Sequence, residues 1–290
     1  MLNNWVEEWD KRIANWIEQG SECDMGLVHL RDAYKGKGQT GLQFYALPEP
    51  YVGDPVSDEP LDAVLLTLNP SGSDHKQWRC GEWVNGQLVI EDGELVKKVQ
   101  SETYHSVAKK YLLDETKVWW MGEPGKPGRS QWPERLLGLP RGTCRIIGID
   151  LIPWHSKKWG SIEISEEILI WFKKNVLTPA AIMSKKSKLS ENSKIGPPIV
   201  LAIGSQHARY LPKLGFELKY KVNGESNRSD LPEWPVLGDG LPVQRNIRLF
   251  VAEDQSLAVL QTDARGGFFP PSKAFDPIVR TMLALPMGKK

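Results

Sequence analysis

The 290-residue chain lacks the features that mark several common protein classes. It has three cysteines, Cys23, Cys80 and Cys144, and no Cys-x-x-Cys pair. An iron–sulfur cluster ordinarily needs four thiolates, so a cluster enzyme is disfavoured, and scattered free thiols indicate a reducing compartment. No apolar run approaches the length of a membrane span, and Glu7 and Glu8 interrupt the N-terminal apolar pattern, unlike a signal peptide. We therefore expect a cytoplasmic protein that does not bind a membrane.

The sequence also lacks the motifs of several enzyme classes. The Gly-Lys steps at residues 36–37 and 125–126 are not followed by Ser or Thr, which argues against a phosphate-binding P-loop. Residues 203–207 do not form the Gly-x-Ser-x-Gly turn of many hydrolases. The five histidines have no metal-ligand spacing, and the Pro-Cys-x-x-Cys signature of zinc deaminases is missing. We predict that the protein uses no metal and no cofactor.

Neither sign of charge is in excess, with 37 Lys and Arg against 36 Asp and Glu. Because no basic field covers the whole chain, nucleic-acid binding would need a local patch. The length is ample for one α/β domain with a substantial core. We predict a monomer with a single domain over residues 1–290, an N-terminal helical extension (1–60), and insertions at 71–143 and 221–246.

Apolar runs separated by helical stretches predict a mainly parallel α/β sheet. Four such runs are predicted to be strands, at residues 61–68, 144–152, 198–204 and 257–262. Residues 247–251 predict a fifth strand, antiparallel or at an edge. Helices are predicted over residues 1–20, 92–113 and 161–178, and from Ser205.

The first predicted strand ends in Leu-Asn-Pro-Ser-Gly at residues 68–72. Ligands of open parallel sheets lie at the carboxyl ends of the strands, so Asn69 is a candidate for the reacting centre. An amide can hold a water molecule but is not a strong base, which favours a reaction that needs a positioned water. Pro70 fixes the backbone, and Gly72 permits close approach of a ligand. An ordinary Asn-Pro turn explains the same pattern.

Considered together, the strand ends resemble those of the uracil-DNA glycosylase superfamily, as ordered motifs over residues 60–285. Residues 68–72 look like its first motif, which is Gly-x-Asn-Pro-Gly in mismatch-type thymine/uracil glycosylases. Asp150 lies where several members have an Asn that reads the base edge. Residues 262–268 (Thr-Asp-Ala-Arg-Gly-Gly-Phe) occupy the place of the second motif but lack its His-Pro-Ser or Asn-Pro-Ser triplet. The resemblance implies a three-layer α/β/α fold with a central, mainly parallel sheet of four to five strands.

The resemblance also implies a function. Such a protein would be a monofunctional DNA glycosylase that flips a modified pyrimidine out of double-stranded DNA, hydrolyses its glycosidic bond and leaves an abasic site. One branch of the superfamily excises hypermodified cytosines from phage DNA as a defence, and the divergent second motif suits that branch. A modified cytosine, for example a glucosylated one, is therefore the favoured substrate. The alternatives are a uracil/thymine mismatch repair glycosylase, a nucleoside hydrolase, and a non-catalytic module that binds nucleic acid or nucleotide.

The residue type at position 150 bears on the substrate. An Asn both donates and accepts hydrogen bonds, which suits uracil, whereas an ionised Asp only accepts them. Asp150 would repel uracil O4 and accept a hydrogen bond from the exocyclic amine of cytosine. A helix cap or a pair with a nearby Arg is the alternative role for this Asp.

The remaining candidates follow from their places beside the strand ends. The catalytic candidates are Asn69 for the water, Asp74 for the water or the sugar, and Asp263 for a cationic sugar. The substrate-binding candidates are Ser71, Gly72, His75, Trp78, Trp83, Asp150, Trp154 and His155, of which the tryptophans would stack on the flipped base. The DNA-binding candidates are Ser205, His207, Arg265, Gly266 and Phe268, with Phe268 as a wedge and His207 on phosphate. Core packing, loop exposure and helix capping are the ordinary alternatives for these Trp, His and Asp residues.

Overall fold

The computed structural model describes residues 1–19, 30, 34–35, 46–68, 82–84, 87–90, 92–111, 122–123, 126–155, 161–162, 164–222, 247–263, 271 and 273–285. Over these residues the chain is a mixed α/β protein. No helix in the described ranges is both long enough and apolar enough to cross a bilayer.

The predicted helices are present with different bounds, together with helices that were not predicted. They are α1 Leu2–Gln19, α2 Glu94–Ser101, α3 Tyr104–Tyr111, α4 Gln131–Leu137, α5 Glu166–Phe172, α6 Thr178–Ser184, α7 Lys188–Asn192, α8 His207–Tyr210 and α9 Asp276–Met282, with a π-helical segment Lys173–Leu177 between α5 and α6. The helix predicted over 92–113 is two helices, because Glu102 leaves helical backbone conformation (φ −124°, ψ −123°). The helix predicted from residue 161 begins at Glu166, where the Ser165 hydroxyl accepts the Ile168 N–H as an N-cap.

Most of the strands belong to one sheet. They are β1 Tyr34–Lys35, β2 Tyr51–Val52, β3 Ala63–Thr67, β4 Glu82–Val84, β5 Gln87–Ile90, β6 Gly122–Glu123, β7 Lys126–Pro127, β8 Ile146–Asp150, β9 Ser161–Ile162, β10 Ile199–Ile203, β11 Phe216–Val222, β12 Ile247–Ala252 and β13 Ala258–Thr262. Seven of them form a sheet in the order β11-β12-β13-β10-β3-β8-β2. The others pair as β1 with β9, β4 with β5, and β6 with β7.

The centre of the large sheet is parallel. β10 runs parallel to both β13 and β3, with Leu201 opposite Leu260 on one side and Leu65 on the other. The Asp62 N–H donates to the Arg145 carbonyl at one end of the β3–β8 pair, and the Leu151 N–H donates to the Thr67 carbonyl at the other, so β8 is also parallel to β3. The four predicted core strands are confirmed.

The flanks of the sheet are antiparallel. β12 pairs antiparallel with both β13 and β11, and β2 pairs antiparallel with β8. The prediction of an antiparallel strand at residues 247–251 is confirmed by β12. Because β11 pairs with its other side, β12 is an internal strand of the sheet. Because β2 and β11 were not predicted, the sheet is wider than the expected four to five strands.

Complete burial explains the composition of the central strands. Every residue of β3, β8, β10 and β13 is buried, as expected for parallel strands covered on both faces. The polar residues of these strands lie at their carboxyl ends: Thr67 in β3, Asp150 in β8, and Gln261 and Thr262 in β13. A polar group at a buried strand end needs a specific partner.

The chain divides into two compact units. The first comprises residues 1–56, 67–113 and 148–179, and the second comprises residues 57–66, 114–147 and 180–290. The predicted single domain, with its extension and insertions, stays a prediction.

In the first unit, α1 is bound through its aromatic face. Trp5, Trp9, Ile13 and Trp16 recur at helical spacing and are all buried. The Trp5 ring lies 5.0 Å from that of Tyr51, and the Trp9 ring packs edge-on against Trp171 at 6.5 Å. These contacts tie the helix to the rest of its unit, as its apolar spacing predicts.

In the second unit, a buried carboxylate organises the amino ends of β3 and β8. Asp62 is 1% exposed, and its Oδ2 accepts the Arg145 N–H at 2.6 Å. Its Oδ1 lies 2.6 Å from Lys188 Nζ. The backbone carbonyls of Leu61 and Asp62 accept the N–H groups of Lys188 and Leu189 at the start of α7. One side chain thus joins two strands and a helix.

We predict that Asp62→Ala lowers the free energy of unfolding by about 3 kcal/mol, because it leaves the part-buried Arg145 N–H without its acceptor and removes the partner of Lys188. Asp62→Asn, which keeps one acceptor oxygen, should cost less. Urea unfolding measures both. Glu59→Ala is the control, because Glu59 also pairs with Arg145 but its side chain is 74% exposed, and it should cost under about 1 kcal/mol. Equal losses for Asp62→Ala and Glu59→Ala would contradict the anchoring role.

Candidate functional site

Two predicted site segments meet at the carboxyl ends of β3 and β8. Thr67 and Asp150 are 1% and 3% exposed, and the Thr67 hydroxyl donates to Asp150 Oδ1. Beyond the strands the backbones stay paired, since the Leu151 N–H donates to the Thr67 carbonyl and the Ile152 N–H donates to the Leu68 carbonyl, each at 2.9 Å. Asp150 therefore lies beside Thr67, the residue directly before the motif at residues 68–72.

The order of the strands singles out the same place. β3 has β8 on one side and β10 on the other, and the chain visits β8 before it crosses to β10. In open α/β sheets, ligands bind outside the carboxyl end of the strand at which the order reverses. The carboxyl end of β3 is therefore the position where a ligand is expected.

The segment that leads into β2 brings a second carboxylate to this edge. The Asp150 N–H donates to the Pro50 carbonyl at 3.1 Å, and the Glu49 N–H donates to the Pro153 carbonyl at 2.6 Å. Glu49 is 4% exposed. Glu49 is not among the residues predicted from the sequence. The available signal was a single acidic residue within the otherwise apolar or proline stretch 46–52.

His155 lies next to Glu49. Its Nε2 is 3.8 Å from Glu49 Oε2, which is within ion-pair distance and longer than a hydrogen bond, and His155 is 1% exposed. The predicted candidates Asp150 and His155 are therefore both in the interior of the same unit. The backbone at Glu49 and Pro50 is hydrogen-bonded to the segment that carries both of them.

A buried phenol completes the group. The Tyr104 hydroxyl donates to the Tyr51 carbonyl. Burial raises the pKa of Tyr104 well above its usual value, and the charges of Glu49 and Asp150 raise it further. The phenol is therefore a neutral hydrogen-bond donor. We call Glu49, Thr67, Tyr104, Asp150 and His155 the polar cluster.

The polar cluster suits recognition of a polar heterocycle. Carboxylates accept hydrogen bonds from amines, and a histidine can donate, accept or carry a positive charge. A site with low access to water strengthens each of these interactions. No group of three or more His, Cys, Asp and Glu side chains in the described part of the chain is arranged to hold a metal ion.

Many predicted site residues lie outside the described residues. They are Asn69, Ser71, Gly72, Asp74, His75, Trp78, Arg265, Gly266 and Phe268. Trp83 is in β4, where the backbone alone is described. The roles assigned to these residues stay predictions.

Trp154 has a packing role. It is 1% exposed, and its ring lies 5.6 Å from the ring of Trp16 in α1. Trp154 therefore packs against α1 in the described structure, and its predicted stacking on a base stays a prediction.

His207 is also part of the core. It is fully buried, with Nδ1 2.8 Å from the Tyr210 hydroxyl and Nε2 3.2 Å from the Ile203 carbonyl. Burial lowers its pKa to about 4, so the ring is neutral at physiological pH. The two hydrogen bonds and the neutral ring give His207 a structural role, and the predicted phosphate contact has no support from this geometry. Ser205, half-buried in the turn before α8, stays a prediction.

Asp263, predicted to stabilise a cationic sugar, forms an ion pair at the end of β13. Its two carboxylate oxygens accept from the Arg248 guanidinium at 2.7 and 3.1 Å, and Oδ1 also accepts from Gln261 Nε2 at 2.8 Å. Arg248 donates to Gln261 Oε1 as well, at 2.7 Å. Because its charge is balanced by Arg248, Asp263 is poorly suited to stabilise a second cation.

We predict that His207→Phe makes the stability less sensitive to acid. The folded-state pKa of His207 is about 4, below the ordinary value of 6.5, so the unfolded chain takes up a proton first as the pH falls. The wild type should have this contribution in full above pH 6.5 and lose it toward pH 4. Between pH 7.5 and 4.5 the wild type should lose about 2 kcal/mol more than His207→Phe, measured by urea unfolding. Equal losses in the two proteins would contradict a buried neutral His207.

The polar cluster carries the functional argument for this chain. No protein-family model, no curated protein and no solved structure matches the chain. The assignment of a function therefore depends on the geometry at Thr67, Asp150, Glu49 and His155, together with the sequence motif at residues 68–72.

Proposed function

We propose that the chain is a monofunctional DNA glycosylase with a uracil-DNA glycosylase-like α/β/α fold. It hydrolyses the glycosidic bond of a modified cytosine in double-stranded DNA and leaves an abasic site. The observation that carries this proposal is the hydrogen bond from Thr67 to Asp150, together with the paired backbone just beyond both residues. This contact joins the approach to the first motif to the base-reading position of the resembled family.

The substrate preference follows from the chemistry of Asp150. The Thr67 hydroxyl donates to Oδ1, a contact that the ionised carboxylate favours and that orients it. A buried acceptor favours the exocyclic amine of cytosine and repels the O4 carbonyl of uracil. A modified cytosine is therefore preferred over uracil, and such bases in phage DNA would give the enzyme a defensive role.

The reaction needs a positioned water and stabilised charge. The target nucleotide is flipped out of the duplex at a cost of a few kcal/mol. As the glycosidic bond stretches, positive charge develops on the sugar and negative charge on the base. Asn69 positions the water, and backbone N–H groups near Ser71 and Gly72 stabilise the departing base. Residues 69–72 and 262–265 contain no Lys that could form a Schiff base, so water is the nucleophile.

A non-catalytic nucleotide-binding module of the same fold is the second candidate. The Arg248–Asp263 pair favours it, because the carboxylate at the place of the second motif is held in a structural ion pair. Asn69 followed by Pro70, as in the first motif of the resembled family, favours catalysis.

We predict alkali-dependent strand breaks at modified cytosines. The assay uses duplex oligonucleotides with uracil, a thymine mismatch, 5-substituted cytosine or glucosylated cytosine, and free nucleosides as a further arm. Asn69→Ala is the inactive control, expected to lower turnover by roughly two orders of magnitude with little change in DNA affinity. EDTA should not abolish cleavage. Breaks before alkali, or trapping of the protein by borohydride, would refute the hydrolytic assignment. Binding without any cleavage would favour the non-catalytic module.

We predict that Asp150→Asn shifts the base preference toward uracil. An amide can donate to O4, whereas an ionised carboxylate cannot. The preference for modified cytosine over uracil, measured as the ratio of the two kcat/KM values, should therefore fall by an amount equivalent to about 1–3 kcal/mol. Thr67→Val is the matched control, because it removes the donor to Asp150 and keeps the carboxylate. It should lower both rates and leave their order unchanged. The same ranking of substrates in Asp150→Asn and wild type would remove Asp150 from base reading.

A further inference from the structure

Glu49 and His155 form a buried pair within the proposed site. Their side chains are 5% and 1% exposed, and Glu49 Oε2 lies 3.8 Å from His155 Nε2. The Glu49 N–H donates to the carbonyl of Pro153, two residues before His155, at 2.6 Å. The contact between the side chains is thus supported by a backbone hydrogen bond between the same two segments.

The charges around the pair favour a protonated His155. Glu49 and Asp150 are both buried, and the Asp150 N–H donates to the carbonyl of Pro50, the residue after Glu49, at 3.1 Å, so two carboxyl side chains leave neighbouring backbone positions. Two such charges in a low-dielectric interior are costly unless a cation or a proton offsets them. His155 is a cation-forming side chain at ion-pair distance from one of them.

We propose that Glu49 is a positioning residue that orients the ring of His155 and keeps it protonated, so that the imidazolium stabilises the departing base. This inference deepens the proposed glycosylase function and rests on it. A carboxylate that orients and charges a histidine is an arrangement that enzymes use where negative charge develops.

The step balances without a further reactant. When the glycosidic bond breaks, its electron pair stays on the base, and the water adds hydroxide to the sugar carbon. The remaining proton of the water neutralises the base anion. His155 keeps its own proton and acts through charge and hydrogen bonding. The rate should therefore fall as the pH rises through the titration of His155. Asp150 and Tyr104 are the other ionisable members of the polar cluster, and the phenol stays neutral.

Two measurements on Glu49→Gln test the proposal. The first follows the His155 ring by NMR across pH, with the signal identified by its loss in His155→Gln. We expect Glu49→Gln to lower the pH midpoint of this titration by about one unit or more, because the carboxylate favours the charged ring. The second is the pH profile of cleavage. Its alkaline limb should move to lower pH by the same amount, so that above both midpoints Glu49→Gln cleaves roughly tenfold more slowly than the wild type. Glu49→Asp, which keeps a carboxylate, should have a titration midpoint and an alkaline limb between those of Glu49→Gln and the wild type.

The chain offers a matched control pair. Asp54 Oδ1 lies 3.5 Å from His105 Nε2, with the side chains 34% and 16% exposed. Asp54→Asn should change neither the His155 titration nor the alkaline limb. If Glu49→Gln does not fold, as judged by circular dichroism, Glu49→Asp serves for both measurements.

The outcomes separate this inference from the proposed function. An unchanged His155 titration in Glu49→Gln, in an enzyme that cleaves modified DNA, overturns the positioning role alone. A shifted titration in a chain that cleaves none of the oligonucleotides overturns the glycosylase function and the catalytic part of the inference. A shift in both the titration and the alkaline limb supports the proposal.

Discussion

The parallel pairing of β3 with β8 is the interaction on which the proposed site depends. All residues of both strands are buried, so polar groups at their ends must find partners within the protein. At the amino end Asp62 accepts a backbone N–H and contacts Lys188, whereas at the carboxyl end Asp150 accepts from Thr67, and its own N–H donates to the carbonyl of Pro50, next to Glu49. An aspartate thus joins the two strands at both ends of the pair, and the proposed function uses the one at the carboxyl end.

Two candidates in the second unit, His207 and Asp263, have structural partners. His207 is neutral because it is enclosed and uses both ring nitrogens, and Arg248 balances the charge of Asp263. Each arrangement stabilises a strand end. In the polar cluster of the first unit, Glu49 lies at ion-pair distance from His155, and the charges of Glu49 and Asp150 both raise the pKa of Tyr104. Shifted proton affinities of this kind cluster at functional sites.

The amino-acid sequence by itself determined the elements whose pattern is local. The apolar runs predicted the four central strands, since a parallel strand covered on both faces must be continuously apolar. The spacing of Trp5, Trp9 and Trp16 predicted α1 and its buried face, because residues that recur every three to four positions lie on one side of a helix. Asp150 could be selected because it lies where several members of the resembled family have an Asn that reads the base.

Only the tertiary structure decided which distant groups meet. β2 is two residues long, too short for a recognisable period, yet its pairing with β8 brings Glu49 to the segment that carries His155. The sequence predicted that Asp263 stabilises a cationic sugar. In the structure, the antiparallel pairing of β12 with β13 places Arg248 against this carboxylate. His207 read as a helix-start ligand, whereas burial made it a core residue. Partners and burial depend on chain segments far apart in sequence, and local patterns do not encode them.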